Sequence, residues 1–171
     1  LADHNFFQGS LADLEEVGQT VGVPVLCKDF IVDPYQIYEA RLMGSSAVLL
    51  IASILSAEAI EQYLAIAKSV NLDCLVEIHN EEELEKVLKT SANIIGINAR
   101  DLKTFTINLN AIIELAKKIP SQKILVAESG VSNRAEIEKV KNAGCNAALV
   151  GTALMQSKNP ELKVRELKGI S

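Results

Sequence analysis

The feature that most limits how this chain can fold is a strict alternation. Short apolar runs of strand type occur at Val23–Cys27, Ala47–Ile51, Cys74–Ile78, Ile94–Asn98, Ile124–Ala127 and Ala147–Val150. Between them lie segments with helical spacing, and one more helix precedes the first run. The repeat of strand plus helix is about 20–30 residues, the length of a strand and its crossover helix. The runs are almost unbroken Val, Ile, Leu and Ala, as expected of strands buried on both faces. A parallel sheet covered by helices follows, and the fold class is α/β.

Start and stop signals are legible for most of the helices. Ser10 with Asp13 has the form of a capping box. Asp33 followed by Pro34 reads as N-cap and first helical residue, and Gly44 is placed to end that helix. Ser56, Asn80 with Glu83, Asn108 and Ser132 open the later helices, and Gly144 ends the last of these. The lysines near the C-terminus read as a solvated face. The chain carries no low-complexity stretch or linker, so residues 1–171 are taken as one domain.

Alternation fits both a doubly wound sheet and a (β/α)8 barrel. The strand ends favour the barrel. A polar or charged residue closes nearly every run: Lys28, Ser53, Glu77, Asn98 with Arg100, Glu128 and Thr152. Barrel enzymes place their chemistry at that end of several strands, whereas a doubly wound sheet gathers ligands at one switch point, usually behind a glycine-rich first loop. No GxGxxG is present. Six strands fall short of eight, and a helix comes first. The expectation is therefore an incomplete (β/α)8 TIM barrel with strands 3–8 present, the first two strands missing, and open edges at the first and last runs.

A net charge of −5 and a pI near 5.1 give no electrostatic case for a nucleic-acid partner. No apolar run reaches the roughly 20 residues of a membrane span. Cys27, Cys74 and Cys145 are far apart and form no CxxC or Cys/His cluster, so they read as buried thiols in a reducing cytosol and no metal site is expected. His4 and His79 lack a second ligand at metal spacing.

Glu77 inside Leu75-Val76-Glu77-Ile78 is costly unless it has a partner or a task. Glu128, in Val126-Ala127-Glu128-Ser129-Gly130, has the same character. Lys28 closes the first strand. In a barrel its ammonium points to the same mouth as the carboxylates, which suits acid–base chemistry. Gly130 and Gly151-Thr152 follow the last two strands, where barrels commonly hold a phosphate against backbone N–H groups. The plain alternative is that these glycines serve tight turns.

Several segments together resemble indole-3-glycerol-phosphate synthase. They are Phe6-Phe7-Gln8-Gly9-Ser10, Pro24 to Asp33 with Lys28-Asp29-Phe30, Tyr35 to Arg41, Leu75 to His79, Ile95 to Leu102 with Asn98-Ala99-Arg100-Asp101-Leu102, Ala127 to Val131, and Leu149 to Met155. The resemblance implies a (β/α)8 barrel that closes an indole ring with loss of CO2 and water, without cofactor or metal, in the cytoplasm. It implies Lys28 as general acid, Glu77 assisting proton transfer in the dehydration, and Asn98 and Glu128 lining the centre. Arg100 and Ser129 would hold substrate, Phe7 and Phe30 would pack on its aromatic ring, and Gly130, Gly151 and Thr152 would hold its phosphate. The family's first strand, with a glutamate and a second lysine, has no counterpart here, so this polypeptide alone is expected to be inactive. Competing readings are another phosphate-binding barrel enzyme, such as the preceding isomerase or the tryptophan synthase α subunit, and a non-catalytic phosphate-binding module that associates through its open edges.

Overall fold

A computed structural model describes residues 9–100 and 106–170. In chain order the elements are α1 (Leu11–Thr20), β1 (Leu26–Cys27), α2 (Pro34–Leu42), β2 (Ala47–Ile51), α3 (Ala57–Ser69), β3 (Asp73–Ile78) and α4 (Glu81–Val87). Then come β4 (Ile94–Asn98), α5 (Leu109–Ala116), β5 (Ile124–Glu128), α6 (Arg134–Asn142), β6 (Ala147–Leu149), α7 (Thr152–Met155) and α8 (Pro160–Lys168). The chain forms two compact units, one of residues 1–77 with 85–93, the other of residues 78–84 with 94–171.

In the first unit β1 pairs with β2 and β2 with β3, all parallel and in sequence order. Four consecutive β2 residues, Val48 to Ile51, are buried, as a parallel strand covered on both faces requires. Ile37 of α2 and Ile60 and Ala67 of α3 are fully buried. In the second unit β4 pairs with β5 and β5 with β6, again parallel and in order. Its core includes Ile95, Ile97, Ile112, Leu125, Ala127 and Val140. Neither unit reverses its strand order, so neither has the switch point of a doubly wound sheet.

The helix signals act as read, with two differences. Ser10, Asp33, Ser56 and Asn108 accept backbone N–H groups as N-caps, each contributing about 1 kcal/mol. The cap of α6 is Asn133, one residue beyond Ser132. The C-terminal lysines belong to a helix, α8, capped by Asn159 with Pro160 following. The first strand pairs over Leu26–Cys27 alone, because Pro24 has no N–H to give a ladder. Gly44 ends α2 at φ 86° in a Schellman turn, with Gly44 N–H on the Arg41 carbonyl and Ser45 N–H on that of Ala40.

The two units share a local plan not apparent from composition. The β1-α2-β2 segment recurs as β5-α6-β6 one hundred residues later. Leu26 pairs with Ala47 and Val126 with Ala147. Ser46 N–H donates to the Val25 carbonyl, and Asn146 N–H to that of Leu125, each at 2.8 Å. The Ser46 hydroxyl accepts Val25 N–H, and the Asn146 side chain accepts Leu125 N–H. The cap pair is Asp33 and Asn133. Residues 28 and 128, lysine and glutamate, are therefore equivalent positions at the tips of equivalent strands.

Candidate functional site

In the first unit β1 delivers Lys28 and β3 delivers Glu77. The Lys28 ammonium donates to Glu77 Oε2 at 3.1 Å. The glutamate side chain is 3% exposed and the lysine side chain 26%. The sequence called for a partner to a carboxylate inside an apolar strand, and this ammonium is that partner. The Glu77 carbonyl also accepts Ala52 N–H at 2.9 Å, which ties the strand end to the loop after β2. That loop is clasped by Lys86 of α4, whose ammonium donates to the carbonyls of Ala52 at 2.6 Å and Leu55 at 3.1 Å. Phe30, half-exposed, is held through its backbone: its N–H meets Asp29 Oδ1 and its carbonyl accepts the Gln36 amide.

In the second unit Asn98 and Glu128 are register partners at the ends of β4 and β5. Glu128 is 1% exposed, and its carbonyl accepts Ala99 N–H at 2.8 Å. Asn98 Oδ1 accepts Arg100 N–H at 3.0 Å. Arg100 pairs with Ile107 in an antiparallel bridge, and Asn108 N–H returns to the Ala99 carbonyl at 2.9 Å, so both ends of the β4–α5 loop are tied.

The chain after Glu128 turns left-handed for two residues, Ser129 at φ 62° and Gly130 at φ 76°. A non-glycine residue in that region costs about 1–2 kcal/mol, and such strain concentrates at functional sites. A Cβ on Gly130 would meet Ile107 Cγ2 at 2.7 Å, so glycine is needed there for both conformation and space. Gly151, at the head of α7, differs. Its φ is −113° and an added Cβ would meet nothing within 4 Å. Thr152 follows it, exposed, as the first residue of α7. Phe7 and residues 101–105 lie outside the described residues.

Sequence reading gave little weight to the end of β3, where His79 and Glu83 form a buried contact. Glu83 Oε2 accepts His79 N–H at 2.8 Å and lies 3.1 Å from His79 Nδ1, and Asn80 Nδ2 donates to Oε1 at 2.9 Å. Burial pulls this carboxyl upward, but the hydrogen bonds and charge of His79 and the Asn80 bond together outweigh it and hold it below its ordinary 4.5. Burial pushes the three thiols up, Cys27 and Cys145 to about 11 and Cys74 to about 12. Among the described residues no group of three or more His, Cys, Asp or Glu could hold a metal, and no helix is long and apolar enough to cross a membrane.

The family model for indole-3-glycerol phosphate synthase matches residues 1–167. The chain belongs to this family. An indole-3-glycerol phosphate synthase of Endomicrobium trichonymphae is 45% identical over 168 residues, covering 98% of this chain and 65% of the relative. Those of Acetivibrio thermocellus and Lachnoclostridium phytofermentans are 40% and 43% identical over 170 residues, covering 99% of this chain and 65% and 63% of theirs. The chain thus spans just under two thirds of the length of these curated relatives. Among solved structures, a chain of the tryptophan synthase complex of Pyrococcus furiosus superposes with a TM-score of 0.70 at 18% identity, over 94% of this chain and 73% of its own. A native KDPGal structure gives 0.61 at 17% identity, over 95% and 73%. The fold is α/β, an incomplete (β/α)8 barrel in which β1 to β6 are strands 3 to 8.

Proposed function

We propose that the chain carries the greater part of an indole-3-glycerol-phosphate synthase site. The reaction converts 1-(2-carboxyphenylamino)-1-deoxyribulose 5-phosphate to indole-3-glycerol phosphate with release of CO2 and water. It is a carboxy-lyase step of tryptophan biosynthesis, placed in the cytoplasm, and the reading keeps residues 1–171 as one barrel domain. The observation that carries it is the Lys28 ammonium held 3.1 Å from a carboxylate buried in β3. Lys28 is the general acid that protonates the substrate carbonyl as the ring closes, and Glu77 assists the proton transfers of dehydration. Asn98 and Glu128 line the centre, Arg100 and Ser129 hold substrate, and Phe7 and Phe30 pack on its aromatic ring.

Gly130, Gly151 and Thr152 take the phosphate. Gly151 supports this part, because neither its φ nor internal packing calls for a glycine. A glycine with no internal reason fits a close approach from outside. The reading invokes no cofactor. Association through the edges of β1 and β6 also belongs to it, and light scattering that finds only monomer would remove that part.

Calorimetric titration of the purified chain with indole-3-glycerol phosphate, beside a turnover assay with the substrate, tests the reading. Binding that weakens at least tenfold in Gly151→Val supports it, and no binding of the product overturns it. Turnover is expected to be more than tenfold below that of a full-length relative. A rate within tenfold would show that residues 1–171 suffice for catalysis.

A further inference from the structure

Three helices open with the same clasp. The side chain of the third helical residue reaches back to the N–H of the residue before the N-cap: Gln36 to Val32 at 2.8 Å, Glu83 to His79 at 2.8 Å, and Glu136 to Ser132 at 2.7 Å. Glutamate and glutamine both serve such a clasp, and the helix dipole favours the carboxylate. Of the three helices, only α2 takes the neutral amide. A bond that no carboxylate can make accounts for the difference. Gln36 Oε1 accepts Val32 N–H and also Asp33 N–H, the latter at 3.0 Å, while Nε2 donates to the Phe30 carbonyl at 3.0 Å. Turning the amide over would set NH2 against two N–H groups and oxygen against a carbonyl, so its orientation is fixed. The equivalent residue one hundred positions on is Glu136, and Gly130 stands where Phe30 stands. A carboxylate has no donor to offer the carbonyl of residue 130.

We propose that Gln36 is a positioning residue acting through Phe30: by gripping the Phe30 carbonyl it fixes the backbone two residues beyond Lys28, and so sets where the phenylalanine ring meets the substrate's aromatic ring. The contact with substrate rests on the ring-closure reading above; the fixing of Phe30 does not. Phe30 is 37% exposed, so its side chain adds little to the core, yet the chain around it is held at several points. Its N–H donates to Asp29 Oδ1 at 2.8 Å, and the buried Tyr63 donates its hydroxyl to the Val32 carbonyl at 2.7 Å. Capping α2 requires only the bonds between Gln36 and Val32 or Asp33. The bond to Phe30 is extra, and it is the one that calls for an amide.

The test is Gln36→Glu in the full chain. It keeps the side chain's shape and its acceptor for Val32 and Asp33, and it faces the Phe30 carbonyl with an oxygen. Amide hydrogen exchange resolved by NMR reads the backbone. Phe30 N–H is expected to exchange about fivefold faster or more, the weight of one hydrogen bond, while Val32 and Asp33 change by less than about twofold. Calorimetry reads the ligand. Indole-3-glycerol phosphate is expected to bind about fivefold more weakly. Inorganic phosphate, which has the charge and lacks the ring, controls for the added carboxylate and is expected to bind as before. In a Phe30→Ala chain, Gln36→Glu should change product affinity by less than about twofold, because the two residues act as one. Unchanged exchange at Phe30 overturns the proposal. So does a rise shared equally by Val32 and Asp33, which would mark Gln36 as a cap alone. Equal weakening of product and phosphate overturns the role towards substrate. Faster exchange at Phe30 in a chain whose wild type binds no product would sink the ring-closure reading and leave the fixing of Phe30 standing.

Discussion

Replacing Lys28 by methionine keeps the aliphatic stem and removes the charge that faces Glu77. Removing one partner of a buried ion pair costs about 3–5 kcal/mol, because the other charge is left in a poor solvent. Here the lysine side chain is 26% exposed, so the pair is not wholly dry, and Glu77 has a further interaction. Both reduce the figure, to about 2–3 kcal/mol. Glu77→Gln instead removes the carboxylate that faces Lys28, which also has a further interaction. An ammonium already a quarter exposed can turn to water, so that change should cost only about 1 kcal/mol. The asymmetry is the informative quantity. Urea unfolding followed by circular dichroism, with a shared m-value, measures both variants and the double variant. The double variant should cost less than the two singles added, with a coupling of about 1–2 kcal/mol. If Lys28→Met costs under about 0.5 kcal/mol, or Glu77→Gln costs more than Lys28→Met, the reasoning from differential burial fails.

Gly130→Ala should lose about 1–3 kcal/mol in the same assay, from φ 76° and the 2.7 Å approach to Ile107. Gly151→Ala, with open space around its Cβ, should stay within about 0.5 kcal/mol of the parent. Because the Glu83 carboxyl is held below 4.5 in the folded chain, its contribution to stability is complete above about pH 4.5 and is lost as the pH falls through the lowered value. Glu83→Gln should flatten the melting-temperature profile in that acid range, and an unchanged profile would refute the assignment. With thiols pushed to about 11, 12 and 11, the three cysteines should react with a thiol reagent at pH 8 far more slowly when folded than in urea. Rapid labelling of the native chain would contradict that.

Strands were legible wherever burial on both faces wrote an uninterrupted apolar run, as at Ala47–Ile51. They were misjudged where a proline interrupts the ladder, as at Pro24. Helix α8 went unread because only Leu167 of its nine residues is buried, so it has almost no apolar stripe to betray it. Asn159-Pro160 was the available signal. At the site, Lys28 and Glu77 were legible one at a time, from the cost of a charge in an apolar run, but their 3.1 Å contact joins residues 49 apart. The Glu83 clasp was hidden for another reason. Glu81-Glu82-Glu83 reads as one acidic helix start, and nothing in sequence singles out the third carboxylate as the one turned inward. The one-hundred-residue recurrence preserves few letters, Ile37 with Ile137, Gly44 with Gly144, Ala47 with Ala147 and Leu49 with Leu149, while the backbone bonds of its turn recur: Gly44 and Gly144 N–H on the Arg41 and Lys141 carbonyls, Ser45 and Cys145 N–H on those of Ala40 and Val140, and Ser46 and Asn146 N–H on those of Val25 and Leu125.

That recurrence bears on how such a chain accommodates change. One framework, with the same strand pairing, the same turn and the same capping position, displays an ammonium in its first copy and a carboxylate in its second. Since the bonds that build the framework run through the backbone and through Ser46 and Asn146, none of them depends on which charge is displayed. The scaffold is indifferent to its cargo. The choice at each strand tip is left open to chemistry, and new reactions can be written there without rewriting the fold.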